Sequence, residues 1–200
     1  MTSSSFASWL RAQPSLAGAA PGLDTASLPE EPHVLFEQWL RGAAAAGVAE
    51  PHVATLSTVD EDGLPDARAL ILKDAGPRGW AVAGPRSSAK AEQLAAHPVA
   101  ALSFWWQPIV RAVRLRGGMQ SATAAEIAAD FEARPESARA GRTPEDWMLW
   151  WLAPRHVEFW QGSPDRRHTR IMYARQGDTW HHEVRGGESP TAPGGAASRR

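Results

Sequence analysis

The sequence predicts a mainly β protein, in which a small antiparallel barrel is decorated by peripheral α-helices. Short segments rich in valine, threonine and aromatic residues recur between turn signals, which is typical of antiparallel strands. Only three windows carry the periodicity or the capping signals of helices. The 200 residues suffice for one domain with a sizeable core, and no internal repeat is visible.

Three windows predict helices, at residues 33–47, 87–97 and 123–134. In the first window, apolar residues four apart define one helix face, and Gly47 ends the helix. The second window begins at Ser87 or Ser88, which are favourable N-cap residues. The third window opens with the capping box of Thr123 and Glu126.

Eight further segments predict strands. A turn at residues 60–66, with Asp-Gly and a following proline, joins the first two strands into a hairpin over residues 52–73. Another turn at residues 76–79 precedes the third strand. The predicted strands are residues 52–59, 66–73, 80–84, 99–106, 109–120, 155–162, 170–176 and 178–185.

Both ends of the chain are expected to lie outside a folded domain of residues 31–185. Residues 1–30 are rich in serine, alanine, glycine and proline without a sustained period, so they predict a flexible N-terminal arm. Residues 186–200 predict a disordered tail by the same reasoning.

The composition excludes several classes of function. The absence of cysteine excludes disulfides, thiolate metal sites and a cysteine nucleophile, and the pair His181-His182 has no evident further ligands. A formal net charge of −1 argues against a general nucleic-acid binder. No run approaches the roughly 18 apolar residues of a membrane span, and Met1 to Arg11 lacks a signal-peptide core. We therefore expect a cytoplasmic protein without metal, nucleic-acid or membrane partners.

Positive charge is concentrated between Glu158 and Tyr173. Arg166, His168 and Arg170 alternate there, so a regular strand would project all three from one face and Arg167 from the other. The positive charges of such a row repel one another unless an anion or a carboxylate offsets them. The planar guanidinium suits phosphate or carboxylate. The alternative is a solvated edge strand.

Four other cations are candidates for anion binding. Arg68 and Lys73 are five residues apart, so they would point to opposite faces of one strand and serve different ligands, unless they are edge charges or a bulge re-aims one. Lys90, in the first turn of a helix, is favourable only if it is exposed or beside a bound anion. Arg134 lies on the apolar face of its predicted helix and either reaches solvent or binds an anion.

Six segments, in order, resemble the pyridoxamine 5'-phosphate oxidase family, whose fold is an FMN-binding split barrel. The C-terminal segment is the most specific, because it contains Trp160 followed by the Arg-x-His-x-Arg of residues 166–170. The hairpin segment that ends in Lys73 is the next most specific. The resemblance implies a homodimeric split β-barrel over about residues 31–185, and its segments are residues 35–51, 58–73, 88–106, 111–117, 130–137 and 157–175.

The resemblance also implies FMN as the cofactor. Arg68 and Lys90 match residues that hold the FMN phosphate. Trp160 and Arg170 match flavin contacts that are supplied across the dimer. The strand that lies along the flavin corresponds to Arg68, Ala69, Leu70, Ile71, Leu72 and Lys73.

The substrate residues of the family have counterparts as well. Lys73 and Arg134 match residues that clamp a substrate phosphate, and Arg166 and His168 match catalytic residues over the substrate ring, at the reacting carbon. The implied activity is that of an FMN-dependent oxidase of pyridoxamine or pyridoxine 5'-phosphate. Such an oxidase passes hydride from its small-molecule substrate to the flavin, which molecular oxygen reoxidises to give peroxide.

Two alternatives remain open. One is a flavin oxidase of secondary metabolism that acts on reduced phenazine precursors. The other is a non-catalytic split barrel that binds a flavin, a deazaflavin or haem.

The sequence departs from the family pattern at flavin-binding positions and at substrate-binding positions. Ala89 and Ala112 stand where the family has a phosphate-binding arginine and a flavin-contacting glutamine, so FMN binding is expected to be weaker or to be repaired by Arg86. Asp130 and Ala138 stand where a tyrosine and a serine help to hold the substrate phosphate. A carboxylate repels a phosphate.

A family segment after the third helix is also shortened here, and Trp147, Trp150 and Trp151 fill its place. The chain has 10 tryptophans, which either fill the core and an interface or stack on a planar ligand. A wall of indoles favours a planar apolar ligand over a small phosphorylated one.

Overall fold

Eight strands and five α-helices make up the described part of the chain, residues 5–187 of a computed structural model. The strands are β1 Val53–Val59, β2 Pro65–Gly76, β3 Gly79–Pro85, β4 Val99–Trp106, β5 Arg111–Ser121, β6 Trp147–Gln161, β7 Thr169–Gln176 and β8 Thr179–Arg185. The helices are α1 Phe6–Arg11, α2 Pro32–Ala45, α3 Ala89–Ala96, α4 Ala124–Glu132 and α5 Glu136–Arg139. Residues 188–200 of the predicted tail lie outside the described residues. None of the described helices has the length and apolar character that a membrane span requires.

Six of the strands close into a barrel, which confirms the predicted fold class. The strands are hydrogen-bonded in the order β3-β2-β1-β4-β5-β6-β7-β8, and β3 also pairs with β6. Every pair is antiparallel. The predicted hairpin forms as β1 and β2, with Val53 opposite Ile71 and Val59 opposite Pro65. Strands β7 and β8 continue the sheet beyond the closed barrel.

Strand β6 closes the barrel because it has three partners. Its first half pairs with β3, its second half pairs with β7, and β5 runs beside both halves. The partner changes near Pro154, which has no N–H to donate and lies opposite Gly117 beside a register shift. The sequence predicted a strand only from residue 155. The first half was missed because it is buried on both faces and reads as an apolar run without alternation.

The main core fills the barrel and is covered by α2. Phe36 of this helix is fully buried and packs against Trp80 at 5.5 Å and Phe104 at 5.0 Å between ring centroids. Trp39, three residues later, meets Phe159 at 5.2 Å. The predicted pairs four residues apart, Leu35 with Trp39 and Phe36 with Leu40, therefore lie on the face of α2 that closes the barrel. Gly47, at a φ of +74°, follows the helix end as predicted.

A second apolar cluster lies between the barrel wall and α4. Phe131 of α4 packs there with Trp147, Leu149 and Trp151 of β6. The three indoles of this region are 4–9% exposed: Trp147 is 6%, Trp150 is 4% and Trp151 is 9%. They are core side chains, so the expected indole wall for a ligand is wrong for this chain: the residues fill space between β6 and its neighbours.

Residues of the predicted arm contact the barrel. The carbonyl of Pro21 accepts a hydrogen bond from Gln161 Nε2 at 3.0 Å, and that of Pro29 accepts one from Tyr173 Oη at 2.7 Å. Arg111 also donates to this segment, through Nη2 to the Gly22 carbonyl at 3.2 Å. Its guanidinium packs on an indole of α2, and burial lowers the pKa of Arg111 to about 10.

Candidate functional site

Strand β2 presents two different faces. Arg68, Leu70 and Leu72 are more shielded than their neighbours, whereas Ala69 and Lys73 are exposed. Arg68 contacts α3 and Lys73 contacts α4, and the pairing of β2 with β3 shifts register between Leu72 and Asp74, so the bulge that the sequence analysis left open lies at Lys73. The exposed face carries small side chains on adjacent strands, with Ala67 opposite Ser57 and Ala69 opposite Thr55. It is a flat strip that a planar ring can approach closely.

Arg68 is held at the end of β2 by three polar side chains. Its guanidinium donates to Thr58 Oγ1 and to Asp66 Oδ2, and Nη2 reaches Gln93 Oε1 at 2.9 Å. Gln93 also donates to Asp66 Oδ2 at 3.0 Å, and this hydrogen bond is the largest cause that lowers the pKa of Asp66. The sequence analysis missed all three partners. Only Asp66 carried a local signal, because it lies two residues before Arg68 on the same strand face.

Lys90 lies in the first turn of α3, close to Arg68. Its Nζ is 3.3 Å from Ser88 Oγ, and a β-carbon at Gly84 would overlap it. Burial lowers the pKa of Lys90, and the neighbouring Arg68 charge lowers it further. Two cations, Arg68 and Lys90, therefore lie beside a single carboxylate, Asp66. The positive charge that remains favours the binding of an additional anion. A phosphate group fits this donor set.

Arg86 donates hydrogen bonds to a neighbouring loop. Its Nε donates to the Glu145 carbonyl at 2.8 Å, and its backbone N–H donates to the Asp146 carbonyl at 2.8 Å. A cavity of about 330 Å³ adjoins it, lined also by Ser87 and Arg142. The helix start predicted at this point is confirmed at Ser88, although its hydroxyl donates to the Pro85 carbonyl instead of capping the helix.

A second group of predicted residues lies in one row across the far sheet. Trp160 of β6 is directly opposite Ala112 of β5 on one side and Arg170 of β7 on the other. The Trp160 ring is 6.0 Å from Trp105 and 4.9 Å from His168, measured between centroids. The fold therefore brings Trp160 next to Arg170 and His168.

The segment before β7 is a loop, so the expected row of cations on a strand is wrong. Strand β7 begins at Thr169, and Arg166 has a φ of +66° in the preceding turn. Asp165 explains the turn, because its carboxylate accepts from the backbone N–H of Arg167 at 2.9 Å. Arg167 therefore does not lie on an opposite strand face; it is exposed and lines a cavity of about 790 Å³ against the arm.

The ring of His168 has a defined orientation. Its Nδ1 accepts a hydrogen bond from the backbone N–H of Ser163 at 3.0 Å. Since a backbone N–H can only donate, Nδ1 carries no proton in this arrangement, and the neutral ring has its proton on Nε2. His168 can therefore offer one N–H donor at Nε2 to a ligand.

A third group joins β2, α4 and the start of β6. Lys73 Nζ is 3.7 Å from Asp130 Oδ1, and Trp147 Nε1 donates to Asp130 Oδ2 at 2.7 Å. The Arg134 guanidinium lies over the Trp147 ring at 3.8 Å. Arg134 Nη1 is buried and has no hydrogen-bond partner among residues 5–187. Arg134 follows the end of α4 at Glu132, so the predicted helix is two residues too long.

One chain does not bring the first and second groups together. Strands β1, β4 and β5 lie between β2 and β6 in the sheet order. In the other direction around the closed barrel only β3 separates β2 from β6, but β3 pairs with the first half of β6, whereas Trp160 lies in the second half. A groove of about 580 Å³ crosses β1, β4 and β5. It is lined by Thr58, Arg116 and His156, and the sequence analysis named none of these three residues.

Two family models match the chain. A model described as pyridoxamine 5'-phosphate oxidase matches residues 40–161. A second, described as the pyridoxine 5'-phosphate oxidase C-terminal dimerisation region, matches residues 147–184 and so covers β6, β7 and most of β8.

Curated relatives and solved structures agree with these matches. A pyridoxine/pyridoxamine 5'-phosphate oxidase of Thermosynechococcus vestitus is 37% identical over 182 residues, covering 76% of this chain and 86% of that relative. One of Ectopseudomonas mendocina is 35% identical, covering 80% and 90%. The crystal structure of PhzG from Burkholderia lata in complex with tetrahydrophenazine-1-carboxylic acid superposes with a TM-score of 0.77 at 22% identity, over 85% of this chain and 100% of that chain. A pyridoxamine 5'-phosphate oxidase-related, FMN-binding protein from Nostoc punctiforme gives a TM-score of 0.63 at 18% identity, over 76% and 97%.

Proposed function

The chain belongs to the pyridoxamine 5'-phosphate oxidase family, and from that premise we propose that it is an FMN-dependent oxidase of a small planar substrate. The curated relatives are named oxidases, which makes this chain an oxidoreductase. The observation that carries the proposal is the row of Trp160, His168 and Arg170. It presents an indole, an N–H donor and an exposed cation at one place on the sheet.

Two parts of the chain fit FMN. Arg68 and Lys90 hold the phosphate, because they form a cationic corner with only one offsetting carboxylate. The flat strip of β2 at Ala69 receives the ring system. When bound, FMN supplies a two-electron acceptor that molecular oxygen reoxidises. The protein contributes binding, orientation and electrostatic tuning.

Assembly as a homodimer completes the site. Trp160 and Arg170 belong to the part of the chain that matches the dimerisation region. Within one chain, Trp160 lies in the half of β6 that does not pair with β3, and Arg170 lies on β7, outside the closed barrel. A second copy supplies them to the β2 strip. Each dimer therefore has two equivalent sites, as a two-fold axis requires.

The substrate lies on the flavin between Lys73 and the loop of residues 162–168. Arg166 and His168 contact the reacting end of the substrate, and His168 donates there through Nε2. Lys73 and Arg134 bind its acidic group. Pyridoxamine or pyridoxine 5'-phosphate is the first candidate, because the relatives that align with most of the chain are named for these substrates.

A second candidate is a reduced, carboxylated polycyclic compound. Asp130 favours it, since this carboxylate is 3.7 Å from Lys73 and weakens the attraction for a phosphate.

The test begins with the purified protein. Its flavin is released by denaturation and identified as FMN by chromatography and mass. Peroxide formation is then measured with pyridoxamine 5'-phosphate, pyridoxine 5'-phosphate and a reduced phenazine carboxylic acid. Peroxide that depends on one of these substrates supports the oxidase. A protein that binds no flavin, or binds haem instead, contradicts it and supports a non-catalytic binding barrel.

A further inference from the structure

The acid-binding end of the substrate site is formed by Lys73, Asp130 and Arg134, with Trp147 below them. We propose that this end selects a ligand with a single negative charge, a ring-bound carboxylate, and discriminates against a phosphate dianion. Asp130 is the residue that determines this preference. The inference rests on the proposed function, because that function places the substrate next to Lys73, and of the two candidate substrates it selects the carboxylated compound over the phosphorylated one.

The charge of the cluster is the first argument. Lys73 and Arg134 bring two positive charges, and Asp130 removes one of them. The two other carboxylates of α4 are already paired, Glu126 with Arg78 and Glu132 with Arg139. A carboxylate ligand neutralises the remaining charge. A phosphate dianion overcompensates it and meets the Asp130 carboxylate at close range.

The hydrogen bonds of Asp130 are the second argument. One carboxylate oxygen accepts from Trp147 Nε1 at 2.7 Å, and the other lies 3.7 Å from Lys73 Nζ. The Asp130 side chain is only 14% exposed and that of Lys73 28%. Because both contacts fix the carboxylate in a shielded place, it cannot turn away to make room for a second anion. An ionised Asp130 can only accept, so it offers a ligand oxyanion no hydrogen bond.

Arg134 supplies the donor that is left for a ligand. Its guanidinium is stacked on Trp147 at 3.8 Å, and its Nη1 is buried without a partner among residues 5–187. A buried arginine N–H without an acceptor is unfavourable, so a bound carboxylate oxygen stabilises it. The stacked geometry also keeps the guanidinium plane fixed, which suits the planar carboxylate.

Two probes with the same fused ring and different acidic groups test the proposal. They are 1-naphthoate and 1-naphthyl phosphate, added to the FMN-loaded protein at about pH 8, above the second phosphate pKa of about 6. Binding is read from the change in flavin absorbance and independently by calorimetry. We expect naphthoate to bind at least about tenfold more tightly than naphthyl phosphate.

Three variants assign the preference to its residues. Asp130→Asn removes the charge and keeps an acceptor for Trp147, and we expect it to strengthen naphthyl phosphate binding by about tenfold or more relative to naphthoate. Glu132→Gln is the matched control, since it removes a carboxylate on the same helix that is already paired with Arg139. We expect it to leave the ratio of the naphthyl phosphate and naphthoate affinities unchanged. Arg134→Gln should abolish naphthoate binding while circular dichroism shows an intact fold.

Several results would overturn the proposal. One is a wild-type protein that binds naphthyl phosphate as tightly as naphthoate. Another is an equal effect of Asp130→Asn and Glu132→Gln, and a third is the failure of both probes to bind. A protein that takes up no flavin contradicts the proposed function instead, and the calorimetric comparison of the two probes then still decides the anion preference.

Discussion

The carboxylate of Asp130 on α4 accepts a 2.7 Å hydrogen bond from the indole N–H of Trp147, the first residue of β6. The bond ties the helix to the point where the barrel closes. It also orients the ring on which Arg134 is stacked. One contact thus connects the second apolar cluster to the acid-binding end of the candidate site.

We expect Trp147→Phe to lower the free energy of unfolding by about 1–3 kcal/mol, because it leaves a shielded carboxylate without its donor. Asp130→Asn should lower the free energy of unfolding by less, since the amide oxygen still accepts the hydrogen bond from the indole. Urea unfolding followed by circular dichroism measures both. Trp9→Phe, on the exposed face of α1, is the control and should change little. Equal stabilities for all three variants would show that this hydrogen bond contributes nothing.

Arg68→Ala and Lys90→Met should each weaken FMN binding about tenfold to a hundredfold, as expected for the loss of a charge-assisted hydrogen bond. Their effect on riboflavin, which has no phosphate, should be small. Flavin fluorescence titrations of the apoprotein give the four affinities. Arg41→Ala serves as the control, because Arg41 is exposed on α2 and paired with Glu37. A parallel loss of riboflavin affinity would place these cations away from the phosphate.

The chain should sediment as a homodimer, and its two site halves should complement each other. Arg68→Ala and Arg170→Ala are each expected to bind flavin poorly. If the two variants are unfolded together and refolded as a mixture, half of the dimers are mixed, and each mixed dimer has one intact site. About a quarter of the wild-type flavin sites should then return. Recovery of none, with mixed dimers shown by mass spectrometry, would mean that each site is built from a single chain.

Gly162→Ala should disturb the Trp160 ring. A β-carbon at this position would lie 2.7 Å from Trp160 Cη2 and 3.1 Å from Leu16 Cδ2, and it would overlap Val110 Cγ1. We expect a loss of about 1–3 kcal/mol in unfolding free energy, which is typical of overpacking, together with altered flavin fluorescence. Gly42→Ala is the control. It meets nothing within 4 Å on α2 and should stabilise the chain slightly.

Tyr173 should make the stability fall at high pH. Burial raises the pKa of Tyr173 from 10.0 to about 12. Below pH 10 both the folded and the unfolded states hold the proton, so its contribution is constant. Between about pH 10 and 12 the unfolded state ionises first, and the folded state loses stability relative to it.

Tyr173→Phe isolates this contribution. The variant lacks the hydrogen bond to the Pro29 carbonyl and should be about 1 kcal/mol less stable near neutral pH. The difference from wild type should shrink as the pH rises above 10. The ring of His182 lies 5.2 Å from the Tyr173 ring, measured between centroids. A difference that stays constant to pH 12 would contradict the shift.

Local sequence signals predicted much of the scaffold. The β1–β2 hairpin forms where Asp-Gly and proline predicted its turn, and α4 opens with the capping box of Thr123 and Glu126. The i,i+4 spacing in α2 places Leu35 and Trp39 in the core. Each of these features depends on residues that are near one another in the chain. The motifs that identified the family are of the same kind.

Only the tertiary structure decided how the site side chains are paired. Gln93 is 25 residues from its partner Arg68, and Trp147 is 17 residues from Asp130, so no local spacing predicts either contact. Arg166 lies in a turn because the side chain of Asp165 bonds to the nearby backbone and displaces the strand expected there. The first half of β6 reads as a featureless apolar run because both of its faces are buried by distant parts of the chain. The sequence by itself determined the family, three of the five helices and the strands apart from the first half of β6, since strand alternation, turns and caps act over a few residues. The charge balance around Lys73 depends on which distant side chains the closed barrel brings into contact.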